Sequence, residues 1–452
     1  MMSITLFLIV FGILSIGYLL LGFIASKNIK TTTDYFLAGR NLGLGAVTFT
    51  LIATQLGGGM LLGTAQEAYL VGLSGILYTL GMAIGFLLLG SGLASRMQQL
   101  QISTTAELFE KRYASSTLKQ IASLLSVITL CGILVGQIVA AKGLLAGLGI
   151  TNEFVFIGFW LFVIAYTMLG GLQAVVITDI FQVIFIIAVF TGIFLYSIWL
   201  DPSSLNALFA SDNTNLFTTP AISESFLIGT LLMPILFSLI EQDLAQRFFA
   251  ARSQRIAGGS ALLAAGFLLL FSLIPIYFGM QAKLLNLPVA PGASPLMPVI
   301  EYFTNEFMVI LALCGILAAI TSTADSLLCA ISSNIAQDFN VSWVGIKNEI
   351  TLSQTLTCII GMSALTASYF MPSNVITILV GSYEISVCCL FVPLIIAYFK
   401  QNLNKYAAYG AVIGGLSMFI LVRLYYPLGI PRELMSLGTS AVGYWIGSMI
   451  KN

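Results

Sequence analysis

The chain has 452 residues, 58% of them hydrophobic and 8% charged, with 18 basic against 18 acidic side chains and no histidine. A soluble domain carries roughly a quarter charged residues, so this chain cannot clothe itself for water, and balanced charge supplies no basic face for nucleic acid. Without histidine there is no Ser-His-Asp or Cys-His catalysis, no His-ligated zinc or haem and no imidazole base, which leaves an all-α polytopic membrane protein whose solvent is the lipid bilayer.

The first apolar run, Ile4 to Ile24, is long enough to cross roughly 30 Å of hydrocarbon. No basic residue precedes it and no small-residue cleavage pattern follows, so it reads as a retained helix. Twelve more apolar segments follow, giving about 13 spans: 4–25, 44–70, 74–95, 120–146, 153–170, 174–200, 225–246, 256–280, 306–336, 351–371, 374–399, 405–425 and 434–450. Only 96–119, 201–224 and 281–305 are long connections, so 1–452 reads as a single transmembrane domain. The six cysteines lie inside apolar runs without a CxxC pair and read as small hydrophobes. With the N-terminus outside, the inner face collects 14 Lys and Arg and the outer face Lys142, Lys283, Arg423 and Arg432. That bias predicts an outside N-terminus and a cytoplasmic C-terminus in a plasma membrane or bacterial inner membrane.

Two spans look broken. The second carries Gly57, Gly58 and Gly59 in "ATQLGGGM", and three glycines cost a helix roughly 3 kcal/mol relative to alanine. The seventh carries Pro234, which removes a backbone hydrogen bond. Unwound backbone at membrane depth is tolerated where it is buried or lines a cavity, although glycines also serve close helix packing. The breaks open two five-helix blocks, about 44–200 and 225–399, the layout of an inverted-repeat secondary transporter.

Ionisable groups inside spans are candidates for function because each is costly in hydrocarbon. They are Glu67, Asp179, Glu241, Asp243, Asp325 and Glu384, with Lys142 near a helix end. Glu67 and Lys142 also fit the membrane interface, and Asp243 fits a salt bridge to Arg247 as well as a ligand role. The stretch "AAITSTADSLLCAISSNIAQD" places Ser322, Asp325 and Ser326 on one helix face, with Thr323 beside the Ala319 carbonyl. Hydroxyls facing an unwound carbonyl segment supply the mixed oxygens that a hard alkali cation wants. Serine and threonine in such helices also bond to their own backbone.

These residues carry a resemblance. "DYFLAGRNLG", "GGLQAVVITDIFQ", "QDLAQRFFAARS", "AAITSTADSLL" and "ISSNIAQD", in this order, resemble the sodium:solute symporter family. The resemblance implies a LeuT-like 5+5 inverted repeat with one extra N-terminal helix and two C-terminal ones, and alternating access driven by sodium as the coupling ion, with no other cofactor. It implies a sodium site made by the carbonyls of Ala53, Leu56 and Ala319 and the hydroxyls of Ser322 and Thr323. It also implies a second cation at Asp179, Asp325 and Ser326, where this chain offers a carboxylate in place of a hydroxyl. "GGGMLLGTAQEAY" with "STADS" is nearest to the choline-transporting branch, yet two positions where that branch carries aromatics are Gln55 and Glu241 here. With Gly58 these would face the solute, so a small polar solute, an amine or amino acid among them, fits better than a bulky apolar one. The reading is thus a sodium-coupled importer rather than an enzyme. A sensor on a transporter-like fold, proton coupling shared between Asp179 and Asp325, and a channel are its rivals, and nothing in the chain specifies an oligomer.

Overall fold

The computed structural model describes residues 4–27, 29–147, 149–150, 152–205, 228–289, 293–341, 345–346, 348–371, 375–425 and 431–450. The start of the expected 225–246 span, and Lys347 and Lys451 of the charge count, lie outside them. Among the described residues the chain is helical, with one isolated bridge between Leu42 and Ala251. Nine helical stretches there are long and apolar enough to cross a membrane, against the 13 spans expected, partly because sharp turns join neighbours.

The helices are α1 (Ile4–Ser26), α2 (Thr32–Leu37), α3 (Leu44–Gln55), α4 (Thr64–Val71), α5 (Leu77–Leu88), α6 (Ala94–Gln99), α7 (Glu107–Tyr113), α8 (Ser116–Gly147) and α9 (Glu153–Leu200). After the gap come α10 (Met233–Ser238), α11 (Gln242–Ala250), α12 (Gln254–Leu284), α13 (Leu296–Phe303), α14 (Glu306–Asp338), α15 (Glu349–Ala367), α16 (Val375–Phe399), α17 (Lys405–Leu424) and α18 (Arg432–Met449). Before α2, Thr31 and Asp34 form a capping box, and the Thr31 hydroxyl holds the exposed Asp34 carboxyl below its usual range.

At 1.5 Å per residue the 48 residues of α9 would run roughly 70 Å, more than twice the hydrocarbon thickness. They do not run straight: Gly171 takes φ 50°, and the chain turns there between the expected spans 153–170 and 174–200. Gly72, at φ 65°, ends α4 in the same way. Only glycine adopts such angles without strain. Near the C-terminus Gly410 and Gly414 on α17 pack on Gly443 and Thr439 of α18, Gly447 of α18 packs on Tyr406 of α17, and a Cβ at Gly443 would collide with the Gly410 carbonyl. This is small-residue packing between membrane helices. Gly443→Val is expected to lower the thermal inactivation midpoint of the purified protein, since overpacking costs about 1–3 kcal/mol.

α14 runs through the centre, buried along nearly its whole length from Val309 to Asn334, between α8 and α9. Glu384 on α16 is buried and clamped by Arg423 at 3.3 Å and Arg432 at 2.7 Å, which ties α17 and α18 to the bundle. Lys142 pairs with Glu153 at 3.0 Å and lies over the Tyr369 ring, half exposed as an interface residue would be, while Glu67 is buried.

One end of the bundle is laced shut. Leu42 exchanges backbone bonds with Ala250 and Arg252 at 3.1 and 3.0 Å. Arg40 donates to the Ile102 carbonyl, Gln98 to that of Ala251, and Gln242 to that of Ser103. The Thr105 N–H donates to Gln242, and Thr104 donates to Asp338 at 2.7 Å. The other end holds a vestibule of about 590 Å³ between α4, α8, α13 and the start of α16, lined by Leu62, Gln66, Val139, Met297 and Val375 among others.

Candidate functional site

The α3 helix stops where the glycines begin. Its last residue is Gln55, Leu56 and Gly57 are bent, and a wide helical turn over Gly59–Gly63 leads into α4. The Gly58 N–H, freed by the break, donates to Gln137 Oε1 on α8 at 2.8 Å. α14 passes across the gap. Ser322 Oγ donates to the Ala53 carbonyl at 3.1 Å and to Ala319 at 2.9 Å. Thr323 Oγ1 reaches the carbonyls of Thr54 at 2.9 Å, Ala319 at 3.3 Å and Ala53 at 3.4 Å. Four of the five expected sodium ligands therefore meet in one buried knot. The fifth, Leu56, caps α3 within the break, buried, with its N–H on Ile52. Packing there is tight: a Cβ on Gly57 would lie 2.5 Å from Thr323 Oγ1 and 2.8 Å from Gln137 Oε1. Gly57→Ala is expected to weaken sodium dependence of transport about tenfold, the effect of a 1–2 kcal/mol overpacking strain on a ligand. Sodium titration of uptake checks it.

The second break falls later than the proline suggests. Pro234 follows closely on a wide helical turn, Ile228–Leu232, whose helical backbone continues through Leu232, so its missing N–H falls inside a helical stretch that runs on past it. The helix ends at Ser238, and Glu241 is extended at φ −63°, ψ 128° before α11 begins. Glu241 thus lies in the break itself.

The expected second-cation residues hold a cation already, one belonging to the chain. Arg247 on α11 and Asp179 on α9 are both fully buried, with Arg247 Nη2 3.8 Å from Asp179 Oδ2. The same guanidinium donates to Ser326 Oγ, to Thr50 Oγ1 at 3.0 Å and to the Asp243 carbonyl at 2.7 Å. Thr50 in turn donates to Asp179 at 2.5 Å. Asp325 takes a different partner, the Tyr166 hydroxyl at 2.7 Å. Arg247 pairs with Asp179 and with the backbone of Asp243, leaving the Asp243 carboxylate free of it.

Between the breaks is a small cavity of about 20 Å³. Its walls include Gln55, Gly57, Gly59, Gln137, Glu241, Asp243, Thr323, Tyr78 and Tyr383. Of the expected solute residues, Gln55 and Glu241 line it. Gly58 stands behind the wall, where a Cβ would press on Ala140. Tyr78 and Tyr383 share a hydroxyl contact of 2.8 Å, and Phe237 stacks on Tyr383 at 4.4 Å. These aromatics, Gln137 and the buried Arg247 are what sequence reasoning missed. Aromatics are too common in membrane spans to single out; the sequence offers Asp243 as the salt-bridge partner of Arg247, whereas the guanidinium takes the Asp243 carbonyl and pairs with Asp179. The vestibule lies farther along the same elements, at Leu62, Val139 and Val375 where the cavity has Met60, Gln137 and Leu379, and the two share no lining residue.

Known proteins share this design. A sodium/glucose cotransporter of Vibrio parahaemolyticus is 25% identical over 89% of this chain and 81% of its own length. A sodium/proline symporter of Haemophilus influenzae is 25% identical over 91% and 87%. High-affinity choline transporter 1 of Drosophila melanogaster is 24% identical over 85% of this chain and 65% of its own. Among solved structures, a substrate-bound, outward-open Na+-coupled sialic acid symporter superposes with TM-score 0.83 at 18% identity, covering 98% of both chains. Mhp1 in an inward-facing conformation gives 0.54 at 13% identity, over 90% and 89%. The fold is therefore that of LeuT-like transporters. The model of the sodium:solute symporter family matches residues 35–417, most of the chain, and this multi-pass membrane protein belongs to that family of sodium-coupled solute importers.

Proposed function

We propose that the chain imports a small polar organic solute, an amine or amino acid among them, with one sodium ion per cycle. Sodium would be held by the carbonyls of Ala53, Leu56 and Ala319 and the hydroxyls of Ser322 and Thr323. The observation that carries this reading is the convergence of both hydroxyls on the Ala53 carbonyl across the α3 break. A hydroxyl that donates to a carbonyl can instead turn both oxygens toward a cation, so the knot converts to a ligand cage by rotating two side chains. Gln55 and Glu241 would meet the solute in the adjoining cavity, with Gly58 acting through Gln137.

The Asp179, Asp325 and Ser326 set then needs no second ion, because Arg247 supplies the positive charge there. Transport would proceed by rocking of two five-helix repeats, about 44–200 and 225–399, within the one domain. The N-terminus would face outside and the C-terminus the cytoplasm, in a plasma or bacterial inner membrane. Uptake of a labelled solute library into proteoliposomes tests the reading. Accumulation against a gradient only when sodium is higher outside, with a sodium Hill slope near one, supports it. Uptake indifferent to sodium overturns it.

A further inference from the structure

We infer that the solute is a monovalent organic cation whose ammonium bears N–H groups, bound head-first in the small cavity against Asp243 and Glu241. This rests on the sodium-coupled reading above and adds the substrate class.

The first observation is charge. Glu241 and Asp243 are the charged side chains lining the cavity, and no lysine or arginine is among its described walls. The guanidinium one turn away is committed to Thr50, Ser326, Asp179 and the Asp243 main chain. Two ionised carboxylates this deep repel each other and lack the solvent that would screen them. One sodium beside Thr323 and one monovalent ammonium would balance the pair. With a neutral solute a proton shared by the two carboxyls would have to take the place of the ammonium, and an anion would worsen the repulsion.

The second observation is independent of charge counting. Asp243 is fully buried, and its carboxylate has beside it only the Glu241 carboxyl and the main chain of its own helical turn; no side-chain N–H reaches it among the described residues. Buried acceptors are almost always satisfied, and a carboxylate left bare costs several kcal/mol. N–H donors from a ligand would fill this vacancy; a quaternary ammonium has none to offer.

The third observation is shape. A cavity of about 20 Å³ admits one water-sized group, hence an ammonium head and little more. Tyr78 and Tyr383 line it beside the carboxylates, their hydroxyls joined at 2.8 Å. The body of the solute would point toward the vestibule, whose nearer wall is Leu62, Val139 and Val375.

Ethanolamine and choline separate the alternatives, since they differ only in methylation of the nitrogen. Electrical recordings on proteoliposomes of the full chain read sodium-dependent currents evoked by ethanolamine, choline, glucose and proline. Ethanolamine is expected to half-saturate at a concentration at least tenfold below choline, and glucose and proline to evoke none. Asp243→Asn and Glu241→Gln should each raise the ethanolamine half-saturation tenfold or more, the loss of a charge-assisted hydrogen bond. If a variant fails to fold, the parent's ranking of the four solutes still decides. No ethanolamine current, a lower half-saturation for choline, or a response to glucose or proline overturns the inference. Sodium-induced charge movement without solute is recorded first. Its absence counts against the sodium reading itself, whereas its presence with a reversed solute ranking overturns the substrate class alone.

Discussion

Sodium-driven accumulation is expected to vanish in the double variant Ser322→Ala, Thr323→Ala. Two of five proposed oxygens disappear, and contacts to a charged partner are worth roughly 1.5–3 kcal/mol each, so sodium affinity should fall at least a hundredfold. The protein should still insert, because alanine favours a helix and both hydroxyls donate to backbone carbonyls rather than to other side chains. Counterflow at saturating solute without a gradient reports whether the variant is intact. A sodium dependence equal to the parent's would place the ion elsewhere.

The buried Arg247–Asp179 pair should produce the next largest effect, on stability. Removing one member of such a pair leaves an uncompensated charge and costs about 3–5 kcal/mol. Arg247→Met or Asp179→Asn alone should therefore sharply lower the thermal inactivation midpoint. Thr50 and Ser326 would each keep one partner, so the double variant should recover part of the loss, with a coupling of about 1–3 kcal/mol. Additive losses would mean the two residues do not act as a unit. Where Arg247→Met assembles, a sodium Hill slope rising above one would show that the guanidinium had stood in for an ion.

Much of this was readable before any coordinates. Apolar runs of spanning length announce membrane helices because lipid demands them, and the glycine triplet at 57–59 announced a break because no other composition makes unwinding so cheap. The hydroxyl pair at 322 and 323 was visible for the same reason: it is conspicuous in an apolar helix. Pro234 points to the right span but not to the residue where its helix ends: a wide turn precedes the proline, and the helix runs on to Ser238 before Glu241 is extended. Arg247 was counted as an inner-face charge, because sequence registers the end of an apolar run but not the depth to which a short polar helix such as α11 is drawn inward. Tyr78 and Tyr383 lie 305 residues apart, and only the tertiary fold brings their hydroxyls together.

The lacing at the closed end sets a clock on the whole cycle. Seven hydrogen bonds join the segment before α3, the segment 98–105, the ends of α11 and α14 and the residues after α11. At a net 0.5–1.5 kcal/mol each, parting them together costs roughly 4–10 kcal/mol. An empty carrier would open that end less than once in several hundred samplings, so ions would seldom slip through uncoupled. Amide hydrogens of Leu42, Thr105 and Arg252 should then exchange with deuterium faster when sodium and solute drive turnover than in the carrier alone.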